Sequence, residues 1–316
     1  MVGNVTGNSI KNLDLKEGRG TAIAHHGEIL QGMFEDAGRL FRGSVTLPCH
    51  IFGSQTSFLP KKDSHKIVVE PEWKIKSKKA AELTFEYLGV DDVGGRLVVK
   101  SNTPLRLGLG SSTSDVNASI LSVANSLGVV LSPATIASIA VRAEIATDAI
   151  IFGERAVLFG HRDGKVFEDL GGNFPPMEVI GFNSDPDGEG VDTLAFPPAE
   201  YSWQEIEMLR PLVGLMRRAI HEQSPKFVGR VSSASAEINQ KFLLTKNFEK
   251  IRCIVKDIDA AGLQVSHSGT VVGIIFNPND VDKEQKIQRG LSLLKRIGYT
   301  DVWRFRTDKL HLEASI

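Results

Sequence analysis

Cysteine is scarce in this chain. Cys49 and Cys253 are the only two in 316 residues, too few and too far apart for a disulfide framework, which points to a reducing compartment. Charge of one sign is also missing: 37 basic residues stand against 38 acidic ones, a net charge of −1. That balance gives no strong field toward nucleic acid or an anionic membrane, and neither is expected as a partner. Basic clusters at Lys61-Lys62 and from Lys74 to Lys79 lack interleaved aromatics and read as solvated faces. There is no long apolar run. The richest stretch, Ile120 to Val141, is broken by Asn125, Gly128 and Pro133, so no membrane span is expected. The N-terminus has no basic start followed by an apolar core, so no secretory signal is expected and the cytoplasm is the expected location.

What is present suits a globular protein with room for two cores: 41% hydrophobic and 24% charged residues over this length. Residues 1–19 read as a loose polar lead-in, and residues 20–58 as short strands and a hairpin separated by Gly-rich turns. Further strands are expected near 66–69 and 96–100, with a helix over 77–88 between them. A helix over 112–127 carries Val116, Ile120, Ala124 and Leu127 at helical spacing and ends at Gly128. The next helix opens with Ser132 as N-cap and Pro133 at its first position, with a core stripe of Ile136, Ile139, Ala140, Ala143 and Thr147. His161-Arg162-Asp163-Gly164 reads as the turn of a hairpin. Residues 186–200, rich in Asp, Gly and Pro, form the expected linker. Helical patterns over 203–222, 228–244 and 247–262 follow, then strands at 264–265 and 271–276, a helix over 282–297 and a strand at 302–306. Phe227, Phe242 and Phe248 read as core.

The most informative segment is Pro104-Leu105-Arg106-Leu107-Gly108-Leu109-Gly110-Ser111-Ser112-Thr113-Ser114-Asp115. Glycines allow left-handed backbone and remove side chains that would hold an anion away. The helix behind them points unpaired N–H groups and a positive dipole end into the same space. A serine hydroxyl can reach a phosphate oxygen or a magnesium ion. A P-loop needs a Lys after the second glycine, where Ser111 stands, and a Rossmann fingerprint needs a third glycine, where Thr113 stands. The His161-Arg162-Asp163 triplet lacks the Asn of a protein-kinase catalytic loop, since Glu168 stands there, and no Asp-Phe-Gly follows.

The remaining pattern, Pro-x-x-x-Gly-Leu-Gly-Ser-Ser-x-Ser, resembles the phosphate-binding signature of the GHMP kinases. Ala24-His25-His26-Gly27-Glu28-Ile29-Leu30-Gln31-Gly32 is similar to that family's first motif, and its Gly-Glu-Ile-Leu-Gln-Gly wording is nearest the L-threonine kinases of cobalamin synthesis. Residues 264–273, Gln264 to Gly273, stand in the place of the third motif but carry fewer glycines. The resemblance implies an α+β fold of two domains, a ribosomal-protein-S5-like half at 20–185 and a ferredoxin-like half at 201–316. It implies ATP and Mg2+ as cofactors and a phosphotransferase acting on a small hydroxylated amino acid, L-threonine foremost. Another small alcohol (homoserine, serine or a secondary-metabolite intermediate), or a nucleotide-binding sensor without catalysis, remains an alternative. A homodimer is left open.

Site residues follow from the same resemblance. Nucleotide contacts are expected from Pro104, Leu107, Gly108, Leu109, Gly110, Ser111, Ser112, Thr113 and Ser114. Glu144 and Asp148, four residues apart and so on one side of the second helix, are expected at a cleft, although such pairs are also common at an ordinary helix boundary. The family order gives Ser112 and Glu144 the magnesium ion and Asp148 the proton of the acceptor hydroxyl. His26, Gly27, Glu28, His267, Ser268 and Gly269 are expected to face the acceptor. A zinc site from His25, His26, Cys49 and His50 lacks any repeating ligand spacing.

Overall fold

In the computed structural model, which describes residues 15–188 and 199–308, the expected short strands of the N-terminal segment join into one long hairpin. Strand β1 spans Gly18–Asp36 and β2 spans Arg39–Lys62, paired antiparallel from Gly18↔Phe58 to Asp36↔Arg39. Ala37 and Gly38 both take positive φ, 49° and 79°, as a tight hairpin turn requires. Gly20, Gly32, Gly43 and Gly53 are paired in register and Gly27 falls in an irregularity of the ladder, so none of them makes a turn. Register shifts fall between Ile23 and Ala24, His25 and Glu28, and Glu28 and Leu30. Such bulges re-aim side chains, and these three fall at the start of the first motif and within it.

Strand β3 (Ile67–Glu70), helix α1 (Ile75–Leu88) and strand β4 (Val93–Ser101) follow, with β3 parallel to β4. Helices α2 (Ser111–Ser126) and α3 (Pro133–Glu144) come next, then the hairpin β5 (Arg155–Gly160) and β6 (Lys165–Asn173), and β7 (Glu178–Asn183). The sequence pattern gave no strand at β7. The C-terminal part holds α4 (Trp203–His221), α5 (Pro225–Asn239), α6 (Phe248–Asp257), β8 (Gly262–Val265), β9 (Val271–Phe276), α7 (Lys283–Arg296) and β10 (Val302–Arg306). The strands form one sheet in the order β10-β7-β9-β8-β1-β2-β4-β3, with β5 and β6 attached to β2. Its C-terminal strands join the N-terminal ones through a single registered pair, Glu28↔Val265. Of the expected linker, only residues 186–188 and 199–200 are described.

Apolar residues of α1, α2 and α3 pack together through Ala80, Leu83, Val116, Ile120, Ile136 and Ile139. Phe58, Leu97, Val123 and Leu127 close the core between these helices and the sheet. A second core around Phe182, Ile251, Leu263, Ile274 and Leu294 supports the C-terminal strands. Phe248 belongs to it, while Phe227 and Phe242 are only partly buried, Phe227 beneath the Arg218 guanidinium.

Helix α2 carries the Gly108–Thr113 loop at its start, and its seat is unusually close. A Cβ on Gly18 would stand 2.0 Å from the Ser122 carbonyl oxygen, and one on Gly20 2.1 Å from that of Ala118. Small polar residues on α2 make the approach feasible: Ser119, Ser122 and Ser126 are fully buried, and their hydroxyls donate to carbonyls of Asp115, Ser119 and Val123 at 2.6–2.9 Å. A Gly20→Ala change should therefore cost about 1–3 kcal/mol of stability and disturb the loop that α2 presents. Chemical denaturation checks the first effect and nucleotide affinity the second; an unchanged midpoint would contradict the close seat.

Candidate active site

Gly108 and Gly110 both take positive φ, 82° and 70°, and side chains there have no room. A Cβ on Gly108 would meet Ser266 at 2.7 Å, and one on Gly110 would meet the His25 ring at 2.2 Å. The loop carbonyls are turned back into the protein. Leu109 O accepts from the His25 amide at 3.1 Å, and Leu107 O accepts from the amides of Thr270 and Val271 at 3.1 and 3.2 Å. Gly269 packs so tightly on Leu107 that a Cβ would sit 2.0 Å from its oxygen. The first and third motifs thus clamp the loop from two sides. With those carbonyls occupied, the N-terminal end of α2 offers amide donors, the polarity an anion needs.

Not every loop residue faces outward. Leu109 is buried, and the Ser114 hydroxyl, fully buried, lies 2.9 Å from that of Ser54 and donates to Ser111 O at 3.1 Å. Ser54 also donates to Asp115 at 2.6 Å, and Asp115 pairs with the Lys74 ammonium. Lys74 is 8% exposed, so the expectation of a solvated Lys74–Lys79 face fails at its first member. A carboxylate on the second turn of α2 draws the lysine under the loop. Ser112 points the other way and donates to Glu144 at 2.7 Å.

Helix α3 ends at Glu144, one turn sooner than the acid-pair argument assumed. Ser132 caps its start as expected, accepting from the Thr135 amide at 3.1 Å. At its end Ile145 takes φ 74°, a conformation in which a β-branched residue is strained. The chain then leaves the helical path, and the Thr147 amide donates to His161 O at 2.9 Å. Asp148 therefore lies beyond the helix, just before a short 3₁₀ turn at Ala149–Phe152. Its Oδ2 lies 3.1 Å from His25 Nε2 and 3.1 Å from Thr113 Oγ1.

Adjacent residues of a strand face opposite sides, and this reverses the expectation for the two histidines. His25 faces the site. His26 is fully buried on the other side, its Nδ1 taken by Gln264 and its ring against Trp303 and Phe305, so it has no access to an acceptor. Gly27 donates its amide to His25 Nδ1 at 3.0 Å, which leaves Nε2 to face Asp148. Glu28 Oε1 lies 4.0 Å from His25 Nδ1. His267 Nδ1 meets Gln31 Oε1 at 2.8 Å, and its ring lies 5.0 Å from that of His161. Ser268 is half-buried between His267 and Gly269. Gln31 and His161 were not among the expected site residues. The triplet at 161–163 was the only sequence signal for His161, and its turn reading concealed it.

The electrostatics are those of buried acids around one histidine. Burial pushes Glu144 up to about 7, against the pull of the Ser112 hydroxyl. Burial also lifts Glu28 to about 7, with His25 opposing and Asp148 adding to the rise. For Asp148, burial is outweighed by the charge and hydrogen bond of His25 and by His161 and His267, which hold it well below the usual carboxylate range. For His25, burial is outweighed by Asp148, Glu28 and Glu144, and the ring titrates above its ordinary value. Glu144 Oε1 and Glu28 Oε2 are buried with no hydrogen-bond partner among the described residues. An all-oxygen pair, Ser112 Oγ and Glu144, with one acid oxygen unmatched, fits a hard cation such as Mg2+. His25, Glu28 and Asp148 also bring one ligand atom each within 4.8 Å of one another. Among the described residues, Cys49 is buried in the core and takes no part in a metal cluster.

Comparison with known proteins bears on this geometry. Residues 76–153 match the GHMP kinases N terminal domain. The chain is 28% identical over 182 residues to the L-threonine kinase of Salmonella typhimurium, covering 58% of this chain and 60% of that one. It is 28% identical over 190 residues to the L-threonine kinase of Citrobacter freundii, covering 59% and 65%. The chain thus matches under two thirds of either relative's length. In three dimensions it is similar to a homoserine kinase from Cytophaga hutchinsonii (TM-score 0.64, 17% identity, 95% and 96% of the two chains). It is also similar to a mevalonate diphosphate decarboxylase from Staphylococcus aureus (TM-score 0.66, 14% identity, 92% and 95%). The fold is that of the GHMP kinases, mixed α+β throughout. The match to their N-terminal domain falls on α1 to α3 and the segment just after them. No helix among the described residues is long and apolar enough to cross a membrane.

Glu144 gives a test independent of any reaction. It titrates near 7 when folded and near its ordinary 4.5 when unfolded, so between those values the folded protein holds the extra proton. Stability then falls as pH rises through that window, and the raised Glu28 and His25 act in the same sense. Thermal melts of Glu144→Gln should show a shallower fall between about pH 5 and 7 than the parent; an identical slope would contradict the buried, unmatched acid.

Proposed function

We propose that this protein transfers the γ-phosphate of ATP to the hydroxyl of a small hydroxylated amino acid, L-threonine foremost. The observation that supports it most is the convergence of Ser112, Glu144, Thr113, Asp148 and His25 on the N-terminal end of α2. Residues 20–185 would supply the nucleotide site, and residues 201–316 the third motif that braces it. The L-threonine kinases similar in sequence favour threonine. The similarity to a homoserine kinase structure keeps homoserine as the second acceptor to test.

The chemistry follows from the groups present. Amides of Gly108 to Thr113 hold the phosphates, and clamped carbonyls keep the loop in that polarity. Ser112 and Glu144 would hold Mg2+, and bound magnesium supplies neutralisation of charge on the transferring phosphoryl group. Asp148 faces the acceptor hydroxyl. Held ionised by His25, it is a weak base that accepts a hydrogen bond from the hydroxyl, orients it, and takes its proton late. Phosphoryl transfer tolerates this, because its transition state is loose and needs little early deprotonation. His25 fixes the carboxylate and touches the loop through its own amide, tying acceptor and nucleotide positions together.

The reading is tested by acceptor-dependent ADP release with L-threonine, L-serine, L-homoserine, mevalonate and galactose. Nucleotide binding with no turnover on any of them would favour a non-catalytic sensor instead. Ser112→Ala and Glu144→Gln should each lower kcat by about 10² and weaken magnesium dependence. Asp148→Asn should lower kcat with nucleotide affinity nearly intact; unchanged turnover would exclude Asp148 from the proton path. Gly110→Val, which drives a branched side chain into His25 and the loop, should abolish nucleotide binding, and calorimetry reads this directly.

A further inference from the structure

Beneath the loop, two opposite charges are buried without any part in the transfer chemistry. The Lys74 ammonium and the Asp115 carboxylate form a pair whose side chains are 8% and 4% exposed. A buried ion pair adds little stability over an apolar pair of the same size, so stability alone does not account for it. Its position does. Asp115 stands four residues after Ser111, the first residue of α2. The carboxylate therefore lies about 6 Å along the axis behind the helix end proposed to hold the phosphates. Unpaired, it would oppose the anion that the loop amides attract. Lys74, at the N-cap of α1, cancels it from the neighbouring helix, and the exposed Trp73 ring lies over the ammonium, 4.3 Å from nitrogen to centroid. The pair also fastens the first turn of α2 to β2. Ser54 gives its one proton to Asp115 Oδ1 at 2.6 Å. The Ser114 proton is then shared between Ser54 Oγ at 2.9 Å and Ser111 O at 3.1 Å.

We infer that Lys74 is a positioning residue for the nucleotide: it removes the Asp115 charge from the field of the phosphates while keeping that carboxylate as the acceptor that ties α2 to β2. The inference rests on the nucleotide site proposed above, and on neither phosphoryl transfer nor any acceptor.

Calorimetry with the non-hydrolysable analogue AMP-PNP and Mg2+, run beside urea denaturation, tests this. Lys74→Met and Asp115→Asn each leave one buried charge unpaired, so both should lower the denaturation midpoint. Their affinities should nevertheless part company. Lys74→Met should weaken AMP-PNP about tenfold, the scale of one charge acting across roughly 10 Å at an effective dielectric near 20. Asp115→Asn, which keeps an acceptor for Ser54 and frees the ammonium, should bind no more weakly than the parent. The double variant should recover most of the affinity that Lys74→Met loses. A pair with a structural role alone would give losses in step with lost stability. Weaker binding by Asp115→Asn, unchanged binding by Lys74→Met, or no recovery in the double variant overturns the inference while the kinase reading stands. If Lys74→Met does not fold, the Asp115→Asn affinity still decides. The expected affinities with no ADP released on any acceptor would keep the inference while the kinase reading falls. No binding of AMP-PNP by the parent overturns both.

Discussion

The contact between α2 and β1 is the constraint on which the rest of the site depends. Two glycines in a strand let a helix backbone lie almost against the sheet, and the serines of α2 satisfy their own hydroxyls within the helix. That seat fixes where the N-terminal end of α2 emerges. The clamp from His25 on one side and Gly269 to Val271 on the other then sets the loop. Because β1 supplies the seat, His25 and Glu28, one strand sets both the loop and the cluster of acids beside it. Lys74, Asp115 and Ser54 complete the support from below.

Charge is the second organising element. Two buried carboxylates and the part-buried Asp148 share a small volume, and only Asp148 has an imidazole nitrogen, His25 Nε2, at hydrogen-bond distance. The other two are pushed toward neutrality by burial, as desolvated acids are. Groups displaced from their ordinary titration range in opposite directions within one cleft are a mark of functional chemistry. In this fold they also account for unmatched buried oxygens that a purely structural core would not retain.

Much of this was legible in the sequence, for identifiable reasons. The Gly-Leu-Gly-Ser-Ser segment announces itself because its backbone geometry needs glycine; the α3 start does so because a Ser-Pro cap is a local signal. Strands β9 and β10 match their expected limits, since an apolar run and its turns are also local. What failed was decided by tertiary partners. Asp148 sits off the helix because His161 captures the Thr147 amide from across the chain. Which of His25 and His26 faces the cleft was not legible, because alternation decides it and a bulged strand hides its own phase. Lys74 is buried by a carboxylate some forty positions away, a distance read from the Lys74–Asp115 pair. Strand β7 escaped notice because its partners β9 and β10 come later in the sequence.

Ile145 carries a consequence for engineering. A branched side chain, 66% exposed, is held in left-handed backbone at the step that delivers the carboxylate of Asp148. Glycine at this position would relieve the distortion and raise the melting temperature, while granting the segment freedom to carry Asp148 away from His25 and Thr113. A gain in heat resistance paired with a loosened Asp148 is the signature to seek, and selection for robustness alone would steer this residue away from the strained choice that holds the carboxylate in place.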